Sequence, residues 1–438
     1  MRLRSHTFRA AAVVAASALV LAACGGSDSE SGAGSEESSS AEPSEESDAG
    51  GGGGGKGDGT LVVGTLLPQT GDLAFLGPPE FAGVDLAVKE INEAGGVNGS
   101  PVKQVKADSG DGTPNIAPQE TNNLLDAGAD VVVGAASSSV SLSVIDKITG
   151  AGVVHFSPAN TSTAFDTYDD KGLYFRTAPP DVLQAQALAA LMGSDGAQRI
   201  SLLARNDPYG TGLANNTEQN LLDAGIPQDQ LQKIVYDPNA ASFNAEVDMI
   251  REFNPDAIAV IGFDESKKIL SRMSELQIGP GEKLVYGTDG NMGNALGVGF
   301  PPGLLDGMKG TLPLTELSGD FRQRLLAVDP ALIDFNYSAE AYDAVMLLAL
   351  AAEQVDSTKG VDIASAINSV TQEGEKCSDF AACKVILDTG GDVDYDGVTG
   401  TLDFTAAGEP GSGSYGIQTF NAQNQIDDAA TRYVTVGR

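Results

Sequence analysis

Residues 61–96 read LVVGTLLPQTGDLAFLGPPEFAGVDLAVKEINEAGG, and this stretch decides the fold class. Its apolar start, Leu61 to Leu67, is rich in β-branched residues and predicts a buried strand. Apolar residues then recur at helical spacing, and Gly95-Gly96 supplies a left-handed residue that ends the helix. The helical apolar positions are Phe81, Val84, Val88, Ile91 and Ala94. A strand followed by an amphipathic helix is the repeating unit of parallel-sheet α/β folds.

The same unit repeats along the chain in two sets. Asp181 and Gln184, at the start of the second set, are interpreted as a helix cap and its partner. We expect two similar lobes of parallel sheet with right-handed crossovers. Strands are predicted over 102–107, 131–133, 153–156, 200–204, 234–236, 257–261 and 433–436, and helices over 119–127, 139–149, 213–222, 266–276 and 339–355.

The N-terminal segment predicts export and lipid attachment. Residues 1–23 combine arginines with a short apolar run, as a signal peptide does, and Ala22-Ala23 precede Cys24 as lipoprotein processing requires. The alternative, a transmembrane anchor, needs ~18–20 apolar residues, more than this run contains. Residues 24–60 are dominated by Gly, Ser and Glu and predict a disordered tether. We expect the mature protein to be anchored by lipid on Cys24 at the outer face of the cell membrane.

Composition excludes several functional classes. The formal net charge of −34 leaves no basic surface for nucleic acid. Only two histidines exist, and His155 lies in an apolar strand, so a hydrolase triad or a zinc site lacks residues. No cofactor, metal or catalytic residue is therefore predicted.

Cys377 and Cys383 are the two cysteines that remain after Cys24. In an oxidising compartment, cysteines this close predict a local disulfide. The alternative is a metal or redox pair, but no third cysteine or suitable histidine accompanies them.

Residues 392–397 read DVDYDG and match the acidic positions of a calcium loop, with Asp403 at position twelve. The flanking residues predict turn and strand rather than the two helices of such a motif. Calcium binding here stays open at this point.

Six segments carry a family likeness: LPQTG (67–71), INEAGGVNG (91–99), 134–139, FSPANT (156–161), FRTA (175–178) and DPYG (207–210). In this order they resemble the extracytoplasmic solute-binding proteins of ABC importers, of the leucine/isoleucine/valine-binding type. The likeness runs over residues 61–438. It implies the type I periplasmic binding fold, with two Rossmann-like lobes joined by a three-segment hinge near Pro180, Thr315 and Val398. The lobes would then be 61–180 plus 316–397 and 181–315 plus 398–438.

Ser137, Ser138 and Ser139 stand where a strand turns into a helix, so hydroxyls and free amides face one place that favours an anion. The simpler interpretation is that one of them caps the helix. By the resemblance, Ser138 and Thr161 hold the α-carboxylate of an amino acid, and the Ala159 carbonyl accepts from its ammonium.

The resemblance places an acid for the ammonium in the other lobe, at Asp289 of Gly287-Thr288-Asp289-Gly290. An exposed acidic turn is the alternative. Four further residues match side-chain positions of the family's pocket. They are Tyr209, Phe263, Leu76 and Phe75, of which Phe263 and Leu76 replace family tyrosines and make the pocket more apolar.

These features predict a non-enzymatic, monomeric substrate-binding component of an ABC importer. It would capture an amino acid, branched-chain or otherwise hydrophobic, by hinge closure and deliver it to a membrane permease. Two alternatives are a binding protein for a short amide, urea or carboxylate, and a ligand-binding sensor subunit of a membrane receptor.

Overall fold

The computed structural model describes residues 57–113 and 115–437. The predicted signal peptide, Cys24 and nearly all of the tether lie outside the described residues. The strands are β1 (Val62–Leu67), β2 (Lys103–Asp108), β3 (Val131–Gly134), β4 (Val154–Ser157), β5 (Tyr174–Arg176), β6 (Ile200–Arg205), β7 (Leu231–Tyr236), β8 (Ala257–Ile261), β9 (Leu284–Thr288), β10 (Lys309–Pro313), β11 (Glu375–Cys377), β12 (Val393–Gly397), β13 (Gly400–Thr401), β14 (Ser412–Thr419) and β15 (Arg432–Gly437).

Helices cover the sheets, and their positions follow the predicted periodicity closely. The first helix ends at Glu93 and is followed by Gly95 and Gly96, whose left-handed φ angles are 110° and 76°, as the sequence predicts. The helices are α1 (Gly77–Glu93), α2 (Ala117–Asp126), α3 (Ser138–Gly150), α4 (Asp181–Ser194), α5 (Pro208–Asp223), α6 (Asn244–Phe253), α7 (Ser266–Glu275), α8 (Gly319–Val328), α9 (Ser338–Gln354), α10 (Gly360–Ile367) and α11 (Phe380–Asp388).

The first lobe is built on a five-stranded parallel sheet in the order β2-β1-β3-β4-β5. Its core also contains α9, which is buried along its length from Ser338 to Ala352. A helix that is apolar on nearly every side needs such complete burial. The predicted α/β architecture of this lobe is therefore confirmed.

The second lobe is built on a seven-stranded sheet in the order β15-β14-β10-β9-β8-β6-β7. Strands β6 to β10 run parallel to one another, and β14 and β15 add an antiparallel edge. In each lobe a central strand, β1 or β6, has neighbours on both sides that follow it in the chain. The carboxyl ends of such strands border a crevice where α/β sheets usually bind ligands.

The chain passes between the lobes in three places: after β5, after β10 and between β13 and β14. The third passage comes later than the expected Val398, because Leu402 and Phe404 still pack in the core of the first lobe. Arg176 links the first and third passages, since its buried guanidinium pairs with Glu409 and its amide donates to the Gly408 carbonyl.

A small sheet of β11, β12 and β13 lies on the first lobe. Cys377 and Cys383 form a disulfide with Cα atoms 5.3 Å apart, which confirms the predicted pair. Asp394 and Asp396 lie in β12, and the ammonium of Lys376 on the neighbouring strand is 2.9 Å from a carboxylate oxygen of each. Two of the acids of the calcium interpretation are thus paired with a lysine.

None of the helices in the described ranges is long and apolar enough to cross a bilayer. His155 is fully buried in β4 with its ring edge-on to Tyr174, as a core histidine would be. Burial lowers its pKa to about 4.

Candidate functional site

A small cavity lies between the lobes at the carboxyl ends of the central strands. Its enclosed volume is about 10 Å³, room for about one water molecule, so the lobes are closed tightly on each other. We call it the cleft cavity. Its wall is formed by Leu73, Leu76, Ala136, Ser137, Ser138, Ala159, Thr161, Tyr209, Phe263, Asp289, Gly290 and Tyr337.

The first lobe contributes the N-terminus of α3. Ser137 is the N-cap residue, but its side chain makes no capping hydrogen bond; its hydroxyl instead lies 3.0 Å from that of Ser139. Ser138 is buried, and its hydroxyl accepts from the Ser162 amide at 3.4 Å. The first amides of α3 therefore have no side-chain cap, and the helix dipole favours negative charge in front of them.

The loop after β4 lies beside this helix. The Asn160 side chain holds it there by donating to the carbonyls of Ala135 and Ala136 at 3.0 and 2.9 Å. This places Ala159 and Thr161 on the cavity wall. The Thr161 hydroxyl is buried and makes no hydrogen bond of ordinary geometry, although it lies close to the Asp181 carboxyl. An unpaired buried hydroxyl is costly, so Thr161 is ready to bond with a guest.

The second lobe contributes Asp289, which is only 5% exposed. Its carboxylate accepts from Tyr209 and Gln184 at 2.8 Å and from Tyr337 at 2.9 Å. Tyr337 precedes α9 of the first lobe, so this bond crosses the cleft. Burial raises the pKa of Asp289, and the three donors partly offset that rise.

Asp181 is a second buried acid close to Asp289. Neither of its carboxylate oxygens has a hydrogen-bond partner, although the Thr161 hydroxyl is near enough to lower its pKa. Burial, and then repulsion from Asp289, hold the pKa of Asp181 well above its usual value. Two adjacent buried carboxyls without a cation favour a positively charged guest.

The interpretation of Asp181 and Gln184 as a capping pair was wrong. Pro180 is the N-cap residue of α4, and Asp181 is the first helical residue. Gln184 uses its amide to donate to Asp289 and to the Thr311 carbonyl. The Gln184 side chain therefore forms a tertiary hydrogen bond with the buried Asp289 instead of capping the local helix.

The remaining wall is apolar and aromatic. Leu76 is 3% exposed, and the Tyr209 and Phe263 rings stack with centroids 5.6 Å apart. The Tyr209 hydroxyl lies 2.8 Å from that of Thr288, which fixes the ring. This face offers apolar contact and no further charge.

Most residues predicted for the site lie around this one cavity, but two do not. Phe75 lines a neighbouring cavity, and Ser139 is not on the wall, although its hydroxyl lies 3.0 Å from that of Ser137. Sequence reasoning missed Leu73, Ala136, Gly290 and Tyr337, and it misread Asp181. The apolar residues next to predicted site positions could have indicated the first three. Tyr337 lies just before α9, after the chain has passed back to the first lobe, and no local sequence pattern indicates that it reaches the site.

No group of three or more His, Cys, Asp or Glu residues in the described part of the chain is arranged to hold a metal ion. The site is thus a small cavity with hydroxyls and free amides on one side, the acid Asp289 on another, with Asp181 buried near it, and an apolar wall.

Comparison with known proteins gives the family. A model of the periplasmic binding protein family matches residues 60–419. The chain is 28% identical over 369 residues to the chemotactic signal transduction system substrate-binding protein BasB of Halobacterium salinarum, covering 81% of this chain and 85% of that protein. It is 25% identical over 321 residues to the leucine-, isoleucine-, valine-, threonine- and alanine-binding protein of Pseudomonas aeruginosa, covering 72% and 83%.

Among solved structures, the fold is similar to the branched-chain amino acid transporter substrate-binding protein LivJ of Streptococcus pneumoniae in complex with isoleucine. The TM-score is 0.69 at 22% identity, with 86% of this chain and 99% of that chain covered. This likeness supports the fold alone. Proteins of this family are exported solute-binding proteins. The chain belongs to the periplasmic binding protein family, of the leucine/isoleucine/valine-binding type, and has its two-lobed type I fold.

Proposed function

We propose that this protein is the substrate-binding component of an ABC importer and captures a hydrophobic amino acid between its lobes. The observation that carries the proposal is the buried acid Asp289 on the wall of the cleft cavity, with the buried Asp181 close behind it, opposite uncapped helix amides and the Thr161 hydroxyl. A guest that binds both the acid and the hydroxyl and amide donors has one positive and one negative end.

The negative end would lie at the first lobe. Ser138, the Thr161 hydroxyl and the first amides of α3 provide donors, and the helix dipole adds favourable charge. A carboxylate accepts several such bonds at once, and bonds to charged groups are stronger than neutral ones. This supports an α-carboxylate bound to Ser138 and Thr161.

The positive end would lie between the two acids and the Ala159 carbonyl. A buried carboxylate without a cation costs several kcal/mol, and an ammonium group removes much of that cost. Hydroxyl and amide donors form hydrogen bonds with the Asp289 carboxylate, whereas the Asp181 carboxyl has no hydrogen-bond partner of ordinary geometry. This supports a role for both acids in holding an α-ammonium group.

The side chain of the guest would face Leu73, Leu76 and Phe263. This wall carries no charged group, and burial of apolar surface against it contributes about 25 cal/mol per Å². A branched-chain or other hydrophobic amino acid fits that environment best. Because the enclosed volume is so small, the lobes must part to admit any such guest.

Delivery and location complete the proposal. Homologues bind small amino acids and work with ABC transporters, which supports a membrane permease as partner. We further propose a lipid anchor on Cys24, with the segment up to residue 60 as a tether, and a monomeric receptor. Palmitate labelling of cells expressing the wild-type chain or a Cys24→Ala variant tests the anchor, and label that persists without Cys24 contradicts it.

The direct test is calorimetry of ligand-free protein against the twenty amino acids at neutral pH. We expect at least one hydrophobic amino acid to bind more tightly than ~100 μM. An Asp289→Asn variant should weaken that binding by more than about tenfold, because the ammonium loses its charged partner.

The matched control is Asp130→Asn. Asp130 is also buried but accepts from the Val62 amide at the opposite edge of the first sheet. Its variant should leave affinity unchanged. Failure of all twenty amino acids to bind would sink the proposal.

The same variant separates an amino acid from a short amide, urea or carboxylate. A guest without a cation gains nothing from Asp289, so its affinity should change little in Asp289→Asn. Unchanged leucine affinity in this variant would remove Asp289 from the ammonium site.

A sensor subunit is the second candidate function, and the similarity to a chemotactic substrate-binding protein favours it. Lobe closure can be read equally by a permease or by a membrane receptor. Uptake of labelled ligand in a deletion strain distinguishes them, because loss of uptake supports transport and intact uptake supports sensing.

A further inference from the structure

Phe263 lies on the wall of the cleft cavity and on that of a second cavity between the lobes, which we call the side cavity. Phe263 and Gly290 belong to the walls of both cavities. The side cavity encloses about 10 Å³ and is also lined by Phe75, Asp264, Asn291, Gly293 and Leu296. Two small chambers thus share one aromatic side chain as their partition.

The polar residues of the side cavity are already committed elsewhere. Asp264 is partly exposed and forms an ion pair with Lys267 at 2.6 Å. The Asn291 amide donates to the Val260 carbonyl at 2.9 Å and to the Ser266 hydroxyl at 3.0 Å. What remains for a guest is an apolar surface formed by Phe75, Leu296 and the ring of Phe263.

The ring of Phe263 is clamped by three neighbours. The Arg205 guanidinium lies 3.3 Å from its centroid, and the Tyr209 ring stacks against it. At Gly290, a Cβ atom would come within 2.6 Å of the Phe263 ring, so only glycine allows this close approach. A guanidinium stacked on an aromatic face adds cation–π attraction to the packing.

Arg205 is itself held by a buried charge network. Its guanidinium pairs with Asp207 and, at 3.0 Å, with Glu265. Glu265 also accepts the Phe263 amide at 3.0 Å and the Tyr236 hydroxyl at 2.8 Å. The Glu265 carboxylate therefore holds both the Arg205 side chain, which stacks on the Phe263 ring, and the backbone of Phe263.

We propose that Phe263, clamped by Arg205, is a size gate for the side chain of the guest. With the ring in place, the guest's side chain meets a wall and leucine-sized groups are favoured. With the ring turned aside, the side cavity joins the cleft cavity and aromatic side chains such as phenylalanine gain a place against Phe75 and Leu296. Arg205 is a positioning residue, since it acts through Phe263.

This inference rests on the proposed amino-acid guest, and its test measures selectivity rather than affinity alone. Calorimetry gives the dissociation constants of leucine and phenylalanine for wild type, Phe263→Ala and Arg205→Lys. A purely structural role of Arg205 would weaken both guests alike. A gate changes the ratio of the two constants.

We expect wild type to prefer leucine and Phe263→Ala to shift the ratio about tenfold or more towards phenylalanine. Arg205→Lys keeps the charge but loses the flat guanidinium, so it should shift the ratio in the same direction by about threefold. Phe263→Leu, a smaller change, replaces Phe263→Ala if that variant does not fold.

Arg199→Lys is the matched control. Arg199 stacks on Phe253 at 3.7 Å in the same lobe, away from both cavities. It should leave the ratio within about twofold of wild type. Leucine binding with an unchanged ratio in the Phe263 and Arg205 variants overturns the gate alone, as does a wild type that prefers phenylalanine. A wild type that binds no amino acid overturns the gate and the proposed function together.

Discussion

Two groups of aspartates in this protein differ in whether the fold provides a cation for them. Asp394 and Asp396 on the small sheet share the ammonium of Lys376, at 2.9 Å from each. Asp181 and Asp289 in the cleft form no ion pair with any described residue. The charge of Arg176 reaches Asp181, but its guanidinium is paired with Asp166 and Glu409.

The difference teaches where a charged guest fits. Acids that already have a lysine need no further cation, whatever their resemblance to a metal loop. Buried acids without a neighbouring cation carry an electrostatic cost that an ammonium group can relieve. Burial alone is not enough, because Glu80 and Glu340 also lie buried together without a cation, but away from the cleft cavity.

Removal of both cleft acids should have the largest effect. A protein with Asp181→Asn and Asp289→Asn should lose leucine affinity by about a hundredfold or more, because no anion remains to pair with the ammonium. The wild-type affinity should also fall on acidification, because the raised pKa values mean that these carboxylates become protonated and neutral. Calorimetry at pH 5 and pH 7.5 measures both effects. If the double variant bound leucine almost as tightly as wild type, the two cleft acids would not be the partners of the ammonium group.

Glu340 should affect stability rather than binding. Burial, and then the nearby Asp343, raise its pKa to about 8, so the folded state holds a proton that the unfolded state releases above about pH 4.5. The free energy of unfolding should therefore fall as the pH rises from about 4.5 to 8. Glu340→Gln should be about 4 kcal/mol more stable than wild type at pH 8.5 and within about 1 kcal/mol of it at pH 5.

Urea unfolding at the two pH values measures this difference. Leucine affinity at pH 7 serves as the control, because it should not change. An equal stability difference at both pH values would show that Glu340 does not titrate as described.

Asp334 shows a third way to satisfy a partly buried acid, with amide donors from the opposite lobe. It lies before α9 and accepts from the Asn294 backbone amide at 3.0 Å and from its side chain at 2.7 Å. Asp334→Ala should weaken the closed state by about 1 kcal/mol and leucine affinity by about fivefold, mainly through faster dissociation. Stopped-flow release of ligand measures it, with the exposed Asp320→Ala on α8 as control. Release at the wild-type rate would mean that this contact does not hold the lobes together.

Lys376 should give the smallest effect. Its side chain is 55% exposed, so Lys376→Met should cost less than about 1 kcal/mol of unfolding free energy and leave leucine binding intact. Wild-type melting should be the same with calcium or with a chelator. A calcium-dependent rise in melting temperature would restore the metal interpretation of the acidic loop.

Much of the fold follows from local patterns. The strand at the start of the first lobe, the helix ended by Gly95 and Gly96, and the strand over residues 257–261 lie where periodicity predicts them. Strand and helix periods are read over a few residues, and turn chemistry acts over one or two. Such features need no knowledge of distant partners.

The site was harder to predict where distant segments meet. Ser138 and Thr161 each follow a predicted strand, so their meeting at the strand ends was expected, whereas Asp289 was expected in the site only from the family resemblance. Tyr337 reaches Asp289 from a segment 48 residues away, and nothing in the local pattern announces that bond. Phe75, expected in the cleft, lies in the side cavity because Phe263 stands between the two chambers.

Residue types and their spacing therefore determined the alternation of strands and helices, the two lobes and the nearby cysteine pair, because these depend on short-range periodicity and composition. Only tertiary packing decided that Asp181 is a buried acid without a hydrogen-bond partner rather than a helix cap. Tertiary packing also decided that Lys376 forms ion pairs with Asp394 and Asp396 of β12. Which charges end up without a partner depends on where side chains from separate segments meet and on how much water they exclude.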